Sequence, residues 1–382
     1  MSVLPGAGKI LGILGGGQLG RMTAMAARAL GYRVHVLDPD KDCACAPIVD
    51  RLFTASFDDA AAAEELAKTV DVVTLEIEKV SVEGLRRAAR HAPVRPSADV
   101  LEVIQDKGRQ KRWLSDAGFP VGAFELAEDD ESVVAACARF SNRAFVKRFE
   151  GGYDGRGQVT VRSEADARTA FASLGSEGCI VEQALELSAE LSVLVARRPG
   201  GQMQTYPPAL NHHEDRILET SLLPAPIKPE LAQRALELAM RITEALKVEG
   251  VLVIELFVLA GDELVVNELA PRPHNTFHAT EVACVTSQFE QLVRAVCDLP
   301  LGTGELMKPS AIANLLGDLW TGRESVPFDR ALEVPGVRLH LYGKGVARPG
   351  RKMGHLTAVG DTPEQALERV REAKRRLKAS PG

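Results

Sequence analysis

Hydrophobic and polar positions follow two rhythms over the first hundred residues. Residues 9–15 form a short apolar run, and residues 18–30 repeat their apolar positions at helical spacing. Residues 33–38, 51–55 and 71–76 read as further strands, with a helix over 58–68. Strand and helix in alternation imply a parallel sheet whose ligands sit beyond the strand C-termini. Glu76 and Glu78 fall at such an end. After a polar helix over 106–117 the texture changes. Residues 144–148 and 158–162 read as strands around a glycine-rich loop, 151–157, and residues 179–183 and 190–197 as two more strands. A long amphipathic helix covers 229–246. Strands over 251–259 and 263–268 are joined at Ala260-Gly261-Asp262 like a hairpin. A helix over 287–297 precedes a mixed tail from Ser310, which ends in a helix over 362–378.

The 382 residues suit two or three domains. A net charge of -6 argues against a general nucleic-acid binder but leaves room for a local basic pocket. Cys43, Cys45, Cys137, Cys179, Cys284 and Cys297 include no CxxC pair and mostly lie in apolar stretches. They read as buried free thiols in a reducing compartment. No stretch is long enough for a membrane span, and no basic segment followed by an apolar run opens the chain, so a cytoplasmic protein is expected.

Candidate chemistry begins at Gly15–Gly20, a GxGxxG between strand and helix, with Asp38 ending the next strand where a ribose-binding acid would sit. One reading is a dinucleotide site, and with it a NAD-binding regulatory or redox protein. The other is a tight turn whose helix N-terminus is free for some other phosphate. The later motifs favour the second. Lys147 ends a strand and precedes Gly151-Gly152-Tyr153-Asp154-Gly155-Arg156-Gly157-Gln158. A cation at a strand end and a loop of backbone N–H donors suit a triphosphate. Ile180-Val181-Glu182-Gln183 is a strand end of the kind that recognises adenine, unremarkable alone. Glu255 interrupts the apolar run 251–258, and a lone carboxylate there is costly unless paired or bound to metal. With Asn267 and Glu268 it forms an oxygen set that suits Mg²⁺. Ala270-Pro271-Arg272-Pro273-His274-Asn275 is a stiff loop with a polar cluster, and residues 343–355 are basic and glycine-rich. His35, His91 and His340 read as structural or surface residues; His278 and His355 stay open.

On these motifs the chain resembles the 5-(carboxyamino)imidazole ribonucleotide synthase family of ATP-grasp enzymes. GxGQLGRM appears at Gly15–Met22, the GGYDGRGQ loop within 146–158, NELAPRPHN at Asn267–Asn275, SQFE…DLPL within 287–301, and RPGRK.GH within 344–355. The resemblance implies a mixed α/β and α+β architecture. A Rossmann-like pre-ATP-grasp domain would cover 1–105, an ATP-grasp domain 106–300 with a glycine-rich lid at about 120–185, and a small C-terminal domain 301–382.

It further implies that Lys107, Lys147, Gly152, Tyr153, Asp154, Gly155, Arg156, Gly157, Gln158, Glu182, Gln183, Ala184, Leu185, Glu190, His213, Asn267 and Glu268 bind ATP. Glu255 and Glu268 would hold Mg²⁺. Arg272, His274, Asn275, Lys344 and Arg351 would surround bicarbonate and the nucleotide. Tyr153, Asp154 and Arg156 would touch aminoimidazole ribonucleotide, with Gln18, Leu19 and Glu76 as weaker substrate candidates.

The expected reaction is ATP- and bicarbonate-dependent carboxylation of that ribonucleotide in purine biosynthesis, by a homodimer. A formate-dependent glycinamide ribonucleotide transformylase is the alternative within the fold. Two positions depart from the family pattern: Thr276-Phe277 replaces Ser-Gly before His278, and Lys107 stands where relatives often carry Arg.

Overall fold

The structure, a computed structural model, describes residues 2–6, 8–151, 157–175, 178–322 and 325–378. Four parallel strands, β1 (Ile10–Leu14), β2 (Arg33–Asp38), β3 (Arg51–Thr54) and β4 (Val72–Leu75), lie in the order β3-β2-β1-β4. Helices α1 (Gln18–Ala29), α2 (Ala60–Ala67), α3 (Val82–Ala88) and α4 (Ala98–Ile104) accompany them. The sequence pattern did not reveal α3 and α4. Their signal is capping: Ser81 and Ser97 each accept a backbone N–H of the first turn. The expected parallel sheet is present, and its β1 and β4 C-terminal ends carry Gly15 and Glu76.

Helix α5 (Lys107–Asp116) leads into a small antiparallel sheet. Its strands β5 (Phe124–Ala127), β6 (Ala144–Arg148), β7 (Gln158–Val161) and β8 (Cys179–Gln183) run in the order β5-β8-β6-β7. Helices α6 (Asp130–Arg139) and α7 (Glu164–Ser173) pack against one another beside it.

The largest sheet has nine strands. The first six are β9 (Ala189–Arg197), β10 (Met203–Thr205), β11 (Ala209–Glu214), β12 (Ile217–Leu223), β13 (Gly250–Val258) and β14 (Leu264–Ala270). Helix α8 (Pro229–Ala245) lies between β12 and β13, and α9 (Thr280–Ala283) and α10 (Gln288–Val296) follow β14. The last three strands are β15 (Ser310–Leu316), β16 (Val337–Leu341) and β17 (Lys352–Val359), with helices α11 (Phe328–Leu332) and α12 (Pro363–Lys378). The strand order is β14-β13-β9-β11-β12-β15-β17-β16, with β10 on β9. The C-terminal strands therefore extend the central sheet through the β12–β15 pair rather than forming a sheet of their own.

Strand β13 is the core of this sheet. Val251, Leu252, Val253, Ile254 and Leu256 are completely buried, and burying each such side chain contributes roughly 1.5–3 kcal/mol. All six cysteines are free and buried, as their apolar settings implied. No helix among the described residues is long and apolar enough to cross a membrane.

Candidate active site

Glu255 sits inside the apolar run of β13, directly opposite Glu268 of β14 in the antiparallel register. Asn267 donates from Nδ2 to Glu255 Oε2 at 3.1 Å, and His274 Nε2 lies 3.5 Å from Glu255 Oε1. Burial, and then the Glu268 charge, raise the Glu255 carboxyl above its ordinary range. Burial works the same way on Glu268, but the Lys107 ammonium at 2.9 Å outweighs it and lowers that group.

Two cations reach this corner from one helix. The Gln110 side chain pins α5 to β14, since Oε1 accepts the Leu269 N–H at 2.9 Å. Lys107 and Lys111, four residues apart, share a helix face. Lys111 donates to the Val266 carbonyl at 3.0 Å and lies 3.2 Å from Glu182 Oε1. Lys147, from β6, pairs with the other oxygen of Glu182. Burial would raise the Glu182 carboxyl, yet Lys147 and Lys111 hold it down at about 2. Lys111 was missed in the sequence; its signal was the Lys107-x-x-x-Lys111 spacing.

The segment after Glu182 passes from the small sheet to the large one. Gln183 donates its N–H to Ala123 and Ala184 to Arg143, while the Leu185 side chain lies against Gly122. Beyond it, His213 of β11 and Glu190 of β9 face each other at 2.8 Å. The two ends of the glycine loop, Gly151 and Gly157, both have left-handed backbone, φ 78° and 72°. Gln158 pairs with Lys147. Gly152, Tyr153, Asp154, Gly155 and Arg156 lie outside the described residues.

The loop after β14 is held from both sides. Gln288 accepts the His274 N–H and donates to its carbonyl. Arg272 pairs with Glu78 at 2.7 Å, bridging to the β4 end of the parallel sheet. Burial and the nearby Arg272 and Lys352 charges keep His274 well below its ordinary range, hence neutral. Thr276 Oγ1 lies 2.9 Å from His274 Nδ1, and Phe277 is fully buried edge-on to Tyr206. The Thr-Phe departure thus orients the histidine on one side and fills core on the other.

Lys344 reaches this loop indirectly. Its ammonium lies 5.5 Å from the Tyr342 ring centroid, the Tyr342 oxygen is 3.4 Å from His278, and His278 is 3.0 Å from Asn275 Oδ1. Arg351 is not brought to it; its guanidinium donates to the Val346 carbonyl.

The glycine turn corrects two expectations. Asp38 accepts the Gly16 N–H at 2.7 Å, and Glu76 accepts those of Gly17 and Gly20, each at 2.7 Å. Two protein carboxylates fill the place where a dinucleotide pyrophosphate would go. The Gly16, Gly17 and Gly20 donors that a pyrophosphate would need are already taken, so the NAD reading fails. Asp38 is a loop brace instead of a ribose acid, while Glu76, which holds the turn, stays beside Gln18 and Leu19 as a substrate candidate. The Leu19 side chain packs with Met22, Phe289 and Tyr342, so only its backbone faces the turn. Among the described residues nothing accepts from the N–H groups of Gln18 and Leu19.

Residues 8–105 match the ribonucleotide synthetase preATP-grasp domain, 112–289 the ATP-grasp domain, and 310–369 the phosphoribosylaminoimidazole carboxylase C-terminal domain. The N5-carboxyaminoimidazole ribonucleotide synthase of Bacillus subtilis is 38% identical over 368 residues, covering 96% of this chain and 95% of the relative. This chain belongs to the N5-carboxyaminoimidazole ribonucleotide synthase family. A solved synthetase of the family, complexed with ADP, aligns with a TM-score of 0.92 at 40% identity, covering 98% of this chain and 97% of that one. The Aspergillus clavatus synthase, solved with ADP and 5-aminoimidazole ribonucleotide, aligns at 0.86 and 30% identity, covering 97% and 98%.

The family's ATP-grasp architecture, with its pre-ATP-grasp and C-terminal domains, agrees with the resemblance drawn from the motifs.

Proposed function

We propose that this protein carboxylates the exocyclic amine of 5-aminoimidazole ribonucleotide, using ATP and bicarbonate, and releases ADP and phosphate. The observation that carries the reading is the corner where Glu255 and Glu268 face each other beside Lys107, Lys111 and Lys147. A facing carboxylate pair with Lys107 on Glu268, and Lys111 and Lys147 on the neighbouring Glu182, suits a metal-bound polyphosphate.

Glu255 and Glu268 fit Mg²⁺ as oxygen ligands, with Asn267 bracing Glu255. When bound there by Glu255 and Glu268, Mg²⁺ would supply neutralising charge to the nucleotide phosphates. Lys107 and Lys147 supply the remaining positive charge at the transferring phosphoryl group. The adenine lies along Glu182–Leu185, and Glu190 with His213 borders the ribose side. The resemblance assigns ATP contacts to Gly152–Gln158 and ribonucleotide contacts to Tyr153, Asp154 and Arg156, with residues 152–156 outside the described structure.

Arg272, neutral His274 and Asn275 hold bicarbonate in line with the γ-phosphate, and Lys344 approaches the same cluster. A bicarbonate oxygen attacks the γ-phosphorus, the bond to ADP breaks, and carboxyphosphate forms. The substrate amine then attacks the carboxyl carbon, directly or after CO₂ release. The bond to phosphate breaks and the amine loses one proton. The free N–H groups of Gln18 and Leu19 at the start of α1 suit the ribonucleotide phosphate. The resemblance also carries the expectation of a cytoplasmic homodimer, the latter checked by sedimentation.

The test is ADP release with each candidate amine. ADP formation that needs Mg²⁺ and bicarbonate and is stimulated by 5-aminoimidazole ribonucleotide is expected. Stimulation by glycinamide ribonucleotide with formate would overturn the reading.

A further inference from the structure

Behind the His274 loop three imidazoles stack in a row. The centroids of His278 and His355 are 4.3 Å apart, those of His340 and His355 4.5 Å, and the rings are within 8° and 6° of parallel. His340 on β16 and His355 on β17 are register partners. Glu281 of α9 extends Oε2 to within 3.6 Å of His340 Nδ1. His355 is fully buried, and its Nε2 has no hydrogen-bond partner; nor do His340 Nε2 and Glu281 Oε2. One donor atom from each of Glu281, His340 and His355 lies within 4.8 Å of the other two.

An unsatisfied buried polar group costs about 1–3 kcal/mol. Three such atoms on three neighbouring side chains, two imidazoles and a carboxylate, call for a shared partner. Burial lowers His340 and His355, with Arg338 adding to the effect on His340, so both rings are neutral and carry a lone pair. Burial pushes the Glu281 carboxyl up to about 7, the mark of an acid lacking an adequate cation.

We propose that Glu281, His340 and His355 bind one divalent transition-metal ion of the zinc class. Two imidazole nitrogens and one carboxylate oxygen match the borderline donors such ions take, with a fourth position left for water. The same set is poor for Mg²⁺, which prefers oxygen ligands throughout. Donors around a tetrahedral zinc-class ion stand about 3.4 Å apart, so binding requires one of the two stacked rings, His340 or His355, to turn out of its parallel plane. Tyr342 completes it from behind. Its oxygen lies 2.8 Å from His355 Nδ1, and with the proton on Nδ1 the Nε2 lone pair is free for the metal. The ion would tie α9 to β16 and β17. Because α9 directly follows the loop bearing Arg272, His274 and Asn275, it would fix the C-terminal strands to that loop. The site shares no residue with the carboxylate pair Glu255 and Glu268, so it stands or falls independently of the carboxylation reading.

The full-length protein, stripped with a chelator, is titrated with Co²⁺ without nucleotide. One Co²⁺ per chain, showing the strong visible bands of four-coordinate cobalt and displaced by Zn²⁺, is expected. Glu281→Gln and His340→Asn should each weaken Co²⁺ binding at least about tenfold, while Glu268→Gln leaves it unchanged. Circular dichroism checks that each variant is folded; Glu281→Gln, nearly isosteric, suffices if His340→Asn does not fold. Absence of stoichiometric Co²⁺ binding, or undiminished binding in Glu281→Gln, overturns the proposal.

Discussion

Glu255 and Glu268 face each other across β13 and β14, and their surroundings drive their protonation in opposite directions. Glu255 is raised by burial and by its neighbour's charge, whereas Lys107 keeps Glu268 ionised. The pair holds one firm negative charge and one that becomes firm when a dication arrives.

Glu268→Gln should therefore lower turnover about 100-fold or more, through lost charge neutralisation at the transferring phosphoryl group. Because Glu268 is half exposed, the fold should survive. Near-normal turnover at ordinary magnesium, in a coupled ADP assay, would remove Glu268 from the ligand set.

Lys111→Met should act first on stability. It strips a buried bond from the Val266 carbonyl and one of two cations from Glu182. A loss of about 1–3 kcal/mol in urea unfolding is expected. The affinity for ATP should fall as well, since Glu182 would then engage Lys147 alone.

Glu182 also sets a pH dependence. Its folded carboxyl is held at about 2, against an ordinary 4.5. A depressed folded value means the stabilisation is complete above about pH 4.5 and is lost as pH falls from there towards 2. Glu182→Gln should flatten the acid limb of thermal stability in that window. An unchanged limb would show that the two lysines do not act through Glu182.

Lys344→Ala and Arg351→Ala should part company. Both donate to carbonyls of their own segment, Lys344 to Lys352 and Arg351 to Val346, but Lys344 also stands over Tyr342, which leads through His278 to Asn275. Lys344→Ala should cut the ratio of carboxylated product to ADP while ATP affinity stays nearly unchanged, because water intercepts carboxyphosphate. Arg351→Ala should do less. A normal ratio in Lys344→Ala would confine the bicarbonate cluster to Arg272, His274 and Asn275.

Thr276→Val tests the brace on His274. The valine keeps the volume but loses the hydroxyl 2.9 Å from Nδ1. Turnover should drop about tenfold or less with little change in melting temperature; no change would mean that Gln288 alone orients the loop.

Much of this corner was legible in the sequence because its chemistry is local. Glu255 breaks an apolar strand, and the hairpin at Gly261 brings Glu268, close by in sequence, opposite it. The strands of the parallel sheet were legible for the same reason. What escaped depends on distant contacts. Lys111 becomes notable only when Glu182, 71 residues later, lies beside it. The Gly15–Gly20 turn reads as a phosphate loop until Asp38 and Glu76 arrive to take its amides. Helices α3 and α4 are too short for a clear apolar period. The strands β15 to β17 read as a mixed tail because the one that ties them to the sheet, β15, finds its partner β12 some ninety residues earlier.

The union of β12 with β15 has a consequence for the birth of the molecule. Strand β12 ends at Leu223, and its partner does not emerge from the ribosome until Ser310. For that interval the growing sheet presents a bare edge, a template for pairing with any other extended chain. The last seventy residues act as its cover. A polypeptide terminated before Ser310 would keep most of the nucleotide corner and still be prone to aggregate.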